Sequence, residues 1–153
     1  VSLAPRPTRN GRSVMTERQI LVDELVRDEE IRLTVYTDTR GVPTIGCGRN
    51  LRDKGITATE ALLLLDHDLN EVEVDLAGFG WFLLLDAVRQ RVVMNMRFNL
   101  GGAGFRRFPR LLAALERRDY SGAAAEMRAS AWYGQVKTRG VRLARMMETG
   151  IAL

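Results

Sequence analysis

Arg27-Asp28-Glu29-Glu30-Ile31-Arg32-Leu33-Thr34-Val35-Tyr36-Thr37-Asp38-Thr39-Arg40-Gly41-Val42-Pro43-Thr44-Ile45-Gly46-Cys47-Gly48 decides the fold, because the spacing of its apolar residues changes partway through. Upstream, Ile20, Leu21, Leu25 and Val26 recur at helical spacing behind a capping box, Thr16 with Gln19, and predict a helix over about 17–29. From Ile31 the period becomes two, with Ile31, Leu33 and Val35 alternating with Arg32, Thr34 and Tyr36. Thr39-Arg40-Gly41 and Pro43 supply turn chemistry, so a small hairpin or three-stranded sheet is expected. Helical spacing then returns. A second capping box, Thr57 with Glu60, opens a helix carrying Leu62, Leu65, Leu69, Val72 and Leu76 on one face and ended by Gly78 and Gly80. Leu85, Val88, Val92 and Met96 form the next stripe, closed by Gly101-Gly102. Shorter helices are expected at about 106–117 and 121–131, and a last one over about 134–149 with Val136, Gly140, Leu143 and Met147 inward, ending at Gly150. The expected class is α+β: a small N-terminal lobe with a short antiparallel sheet, a larger helical lobe, and an active-site cleft between them within one domain over 15–153.

The 153 residues are 46% hydrophobic and 27% charged, a globular composition with no apolar run long enough to span a bilayer. One cysteine and one histidine exclude an internal disulfide and the usual Cys/His zinc sets. There is no GxxxxGK[ST] loop, and Gly46-Cys47-Gly48 lacks the third glycine of a dinucleotide fingerprint. The expectation is therefore carboxylate chemistry with neither metal nor cofactor. The net charge of +4 hides an asymmetry: residues 1–88 carry ten basic and fifteen acidic side chains, net −5, and 89–153 carry thirteen and four, net +9. A basic half points to an anionic partner, either nucleic acid, lipid headgroups or the bacterial envelope, and charge alone does not choose among them; no nucleic-acid motif accompanies it. Residues 1–14, with two prolines and no apolar periodicity, read as a flexible tail or leader and not a secretory signal; Met15 marks the start of the folded part near Thr16.

The chemistry concentrates in the same opening stretch. A glutamate at a helix end, an aspartate nine residues on and a threonine six beyond that are Glu29, Asp38 and Thr44. Glycoside hydrolysis uses such a set, one carboxyl giving a proton to the leaving oxygen and a second, ionised, acting across the sugar. Surface pairs at this spacing are also common, and the spacing alone leaves both readings open.

The stretch resembles the active-site segment of the phage-type lysozymes, glycoside hydrolase family 24, in Tyr36-Thr37-Asp38-Thr39-Arg40-Gly41 and Thr44-Ile45-Gly46-Cys47-Gly48. Two further blocks are similar to that family's later helices: Asp86 through Gly101, and Ser130-Ala131-Trp132-Tyr133 with Arg139 and Arg142. The resemblance runs in collinear order over about 20–150. It implies inverting hydrolysis of the β-1,4 bond between N-acetylmuramic acid and N-acetylglucosamine, with Glu29 as acid and with Asp38 and Thr44 holding water. Inversion calls for carboxyls roughly 6.5–9.5 Å apart. The resemblance also implies Arg139 as an ionic partner of Glu29 and Phe98 as a groove-lining aromatic. Three departures stand out: Glu30 replaces the family's usual glycine, Arg49 replaces a common histidine, and the connection from Asn50 to Thr57 is short.

Other residues carry plainer expectations. Trp81 and Trp132 are core or rim, Phe98 leans to core, Asn95 is a satisfied buried polar group that also orients the catalytic region, His67 is on the surface, and Cys47 is a small buried hydrophobe. Arg142 shares a helix face with Arg139. The resemblance implies an endolysin, expected to be a monomer that collects in the host cytoplasm until a holin opens the inner membrane and then to cut peptidoglycan and lyse the cell. Arg106, Arg107, Arg110, Arg117 and Arg118 would draw it to the anionic envelope. The alternatives are a non-catalytic peptidoglycan-binding module and a lytic transglycosylase.

Overall fold

The computed structural model describes residues 16–153, and the expected 1–14 leader lies outside them. Its contacts gather the chain into two compact units, one ending at Ala58 and the other spanning Thr59–Leu153. The first opens with α1 (Glu17–Glu29), where Thr16 Oγ1 accepts the Gln19 N–H at 3.2 Å. Only half of the capping box forms, since the Gln19 side chain donates instead to Asp23 Oδ1 at 3.1 Å. The helix has no buried residue; Ile20, Leu21, Val22 and Leu25 are exposed and Val26 is half-buried.

Next come β1 (Arg32–Thr37), β2 (Pro43–Gly46) and β3 (Arg49–Asn50), antiparallel in the order β1-β2-β3. Arg32 pairs with Gly46 and Tyr36 with Thr44, so β1 uses four residues where β2 uses two. That bulge breaks the alternation seen in the sequence, and Ile31, Leu33 and Val35 are all exposed. The side chains buried here are Val42 and Thr44.

The helical unit takes up α2 (Ala58–Ala77), a short 3-10 turn (Phe82–Leu84), α3 (Ala87–Phe105), α4 (Pro109–Glu116), α5 (Tyr120–Arg128), α6 (Ala131–Val136) and α7 (Thr138–Thr149). Asp86 caps α3 by accepting the Val88 and Arg89 N–H groups, each at 3.0 Å. Leu76, Val92, Met96, Phe105, Leu115, Met127, Leu143 and Met147 are buried in one core, each worth about 1.5–3 kcal/mol. Gly140 lets α7 pass close to α6, because a Cβ there would stand 3.0 Å from Val136 Cγ2 and 3.1 Å from Tyr133 O.

Two arginine clusters tie helices together. Asp75, near the end of α2, receives Arg97 Nε at 2.7 Å and also pairs with Arg106. Arg89 donates from Nε to Met147 O at 2.8 Å and from Nη2 to Glu148 O at 3.0 Å, while its guanidinium lies 3.9 Å from the Tyr120 ring centroid. A cation thus satisfies carbonyls at the negative end of α7.

Several expectations change. The stripe on α2 is buried only at Val72 and Leu76, and Leu62 and Leu65 are exposed. Gly101-Gly102 does not end α3: the helix continues to Phe105 past a local break at Gly101, φ 69° and ψ 165°. The segment expected as one helix over 134–149 is split at Lys137, φ 49° and ψ −123°, into α6 and α7. Cys47 is exposed, because the Gly46-Cys47-Gly48 turn carries it out at the sheet edge.

Candidate active site

Glu29 is the last residue of α1, and Glu30 follows with φ 57° and ψ 150°. That conformation suits glycine and costs a β-carbon-bearing residue such as Glu30 strain. The bend turns the chain from helix into β1. It also sets the Glu29 carboxylate beside the β2–β3 turn, with Oε2 3.8 Å from where a Gly48 Cβ would stand. Glu29 is exposed and makes no hydrogen bond or ion pair among the described residues.

Asp38 is held in the β1–β2 turn. Its Oδ1 accepts the Arg40 and Val42 N–H groups, each at 2.8 Å, while Arg40 Nε lies 3.5 Å from Oδ2. The Val42 N–H, then the Arg40 N–H and guanidinium, outweigh desolvation and hold this carboxyl below the usual carboxylate range. Asp38 is therefore an oriented anion with one oxygen free of backbone donors. Gly41 completes the turn at φ 74°.

Thr44, on β2, is 3% exposed, and its hydroxyl donates to Val42 O at 3.0 Å. With its proton committed, its oxygen acts only as an acceptor. The first unit thus carries Glu29 at the end of α1, Asp38 in the β1–β2 turn and Thr44 on β2, with Asp38 and Thr44 linked through Val42.

The residues expected from the sequence to support the site belong to the helical unit. Arg139 is half-buried in the first turn of α7 and has no hydrogen bond or ion pair among the described residues. Arg142 is exposed, its Nη1 lying 3.7 Å from Met146 Sδ and 3.5 Å from Leu153 O. Phe98 is 44% exposed, which overturns its assignment to the core. The Asn95 side-chain oxygen is buried with no partner, so it is not the satisfied group expected. One α-helical turn further, Asn99 Oδ1 accepts the Trp132 indole N–H at 2.8 Å. Sequence reasoning missed that link, since Asn99 and Trp132 lie 33 residues apart with no motif joining them. Trp81 and Trp132 are buried and His67 is exposed, as expected.

A three-stranded antiparallel sheet behind one helix, followed by a helical region and carrying this acidic turn, is the architecture of the phage lysozymes, and the sequence profile of that family matches residues 26–148. The chain belongs to the phage lysozyme family. Among its relatives, the pre-baseplate central spike protein Gp5 of Enterobacteria phage T4 is 31% identical over 160 residues, covering 85% of this chain and 28% of that protein. The chain thus spans little more than a quarter of that relative's length. It is 27% identical over 160 residues to probable T4-type lysozyme 2 of Dictyostelium discoideum, covering 85% of this chain and 94% of that protein. It is 31% identical over 111 residues to the endolysin of Salmonella phage P22, covering 67% and 75% respectively.

Proposed function

We propose that the chain is an inverting muramidase that hydrolyses the β-1,4 bond between N-acetylmuramic acid and N-acetylglucosamine in peptidoglycan. Glu29 donates the proton to the leaving oxygen; Asp38 takes a proton from the attacking water, and Thr44 orients that water by accepting its other O–H. The observation that carries this reading is the unlike treatment of two carboxyls in one unit: Asp38 accepts two backbone N–H groups, and Glu29 makes no hydrogen bond or ion pair among the described residues. The reaction calls on no metal or cofactor. Arg139, unpaired and half-buried, supports a role as partner to the acid or to the glycan. Lysis of the host from its cytoplasm, after a holin opens the membrane, follows from this reading; no helix among the described residues is long and apolar enough to cross a bilayer.

The exposure of Glu29 favours a second reading, a module that grips peptidoglycan without turning it over. One experiment separates them: clearing of outer-membrane-stripped Gram-negative cells by the parent and by Glu29→Gln, with the fragments examined by mass spectrometry. Clearing by the parent alone with reducing muramic ends supports the muramidase, anhydro ends identify a transglycosylase, and binding without release supports the module.

A further inference from the structure

A cavity of about 430 Å³ opens on the helical unit beside α4, its walls including Phe79, Trp81, Pro109, Leu112 and Glu116. None of these belongs to the candidate active site. Pro109, Leu112 and Glu116 lie three and seven residues apart along α4 and therefore share one helix face. Phe79 and Trp81 supply aromatic surface, their ring centroids 5.2 Å apart and their planes inclined by 36°. Phe79 is held by an edge contact with Phe105 at 6.2 Å and by the Arg106 guanidinium at 5.5 Å.

Two residues that line this cavity carry polar groups with no protein partner among the described residues. Trp81 is nine-tenths buried, yet its indole N–H has no acceptor among the described residues and is still open to solvent. The other indole N–H, that of Trp132, donates to Asn99 Oδ1 at 2.8 Å. The Glu116 carboxylate makes no hydrogen bond or ion pair among the described residues. One donor and one acceptor over apolar walls, in a volume typical of small-ligand sites of about 300–1,000 Å³, define the chemistry of the ligand. It is neutral, carries both a carbonyl and an N–H or O–H, and has an apolar face. An anion would meet Glu116, and a plain hydrocarbon would leave both polar groups unpaired.

We propose that this cavity is a second carbohydrate site, taking one N-acetylated hexosamine ring apart from the residues that act on the glycosidic bond. The acetamido carbonyl accepts from Trp81 Nε1, an amide or hydroxyl proton goes to Glu116, and the apolar side of the sugar lies against Phe79 and Leu112. This rests on the muramidase reading in so far as its substrate is built from such rings.

The test is ¹⁵N–¹H NMR of the Glu29→Gln protein, in which the glycan stays intact, titrated with tri-N-acetylchitotriose. The two tryptophans give two indole resonances. That of Trp81 should move saturably, while that of Trp132, already bonded to Asn99, moves less. Glu116→Lys, on the exposed side of α4, should weaken binding by about tenfold. Ala113→Met, which fills the cavity, should abolish the Trp81 shift, and a non-acetylated cello-oligosaccharide should scarcely cause one. An unmoved Trp81 indole, equal response to both sugars, or unweakened binding by a folded Glu116→Lys protein would each overturn the proposal. Cell clearing by the parent is read separately. Clearing without a Trp81 shift overturns this inference alone; a Trp81 shift without clearing overturns the muramidase and leaves the site standing.

Discussion

Asp38 and Val42 hold each other twice across the β1–β2 turn: the Val42 N–H donates to Asp38 Oδ1 at 2.8 Å, and the Asp38 N–H donates to Val42 O at 2.9 Å. Val42 O also receives the Thr44 hydroxyl at 3.0 Å, so one turn positions both residues assigned to the attacking water.

Asp38→Asn should therefore disturb both turn and chemistry. Hydrolysis should fall by about 100-fold or more, the lower end of what a positioned base contributes. Because the folded state holds this carboxyl below its ordinary value, its contribution to stability is present above about pH 4 and disappears as pH falls through the folded pKa. Urea titrations across pH 2–7 (approximate range) should show the parent's advantage over Asp38→Asn shrinking toward the acid end; a constant gap would contradict the assignment.

Glu30→Gly should stabilise the protein. The φ of 57° with ψ of 150° costs about 1–3 kcal/mol for a residue with a β-carbon, and glycine returns about 0.5–1 kcal/mol of that through its freer unfolded chain. A net gain of about 1 kcal/mol should appear as a higher urea midpoint with unchanged slope. A lower midpoint would mean that Glu30 makes a compensating interaction.

Asp75→Asn should loosen the junction of α2 with α3. Asp75 is held below the usual range first by the Arg106 hydrogen bond and then by that of Arg97, and its side chain is 19% exposed. Removing the charge should cost about 1–2 kcal/mol near neutrality, discounted for the half-exposed Arg106. The stability is present above about pH 4 and is lost as pH falls through the folded pKa, so parent and variant should converge in acid. Divergence in acid would reverse the sign and refute the account.

Arg89→Lys should be costly although charge is conserved. Lysine cannot reach Met147 O and Glu148 O together from one planar group, nor stack on Tyr120 as the guanidinium does. A loss of about 1–2 kcal/mol in thermal or urea unfolding is expected. Full retention would show that these contacts are incidental.

How much of this was legible in the sequence depended on the range of the interaction. α1 and its Thr16 cap, the turn at Gly41, and the inward face of Gly140, Leu143 and Met147 are local patterns, and the sequence carries them. The bulge in β1 is not local. It depends on how β2 pairs, and it sends Leu33 to 83% exposure where alternation alone would make it half of a buried face. Lys137 splits the last helix through a backbone conformation for which lysine gives no warning. At the candidate site, the spacing of Glu29, Asp38 and Thr44 was visible, whereas the hydrogen bonds that make Asp38 acidic come from backbone N–H groups that no residue identity announces. The Asn99–Trp132 bond, like the cavity beside α4, exists only once distant helices have met.

The exposed Cys47 has a practical consequence. It is the protein's one thiol, carried outward next to Gly48 on the turn that Glu29 approaches. A maleimide spin label or environment-sensitive dye will therefore attach at a single known position without any engineered cysteine. Such a probe would report directly, in real time and on unmodified sequence, when a glycan arrives beside the residue assigned as the acid.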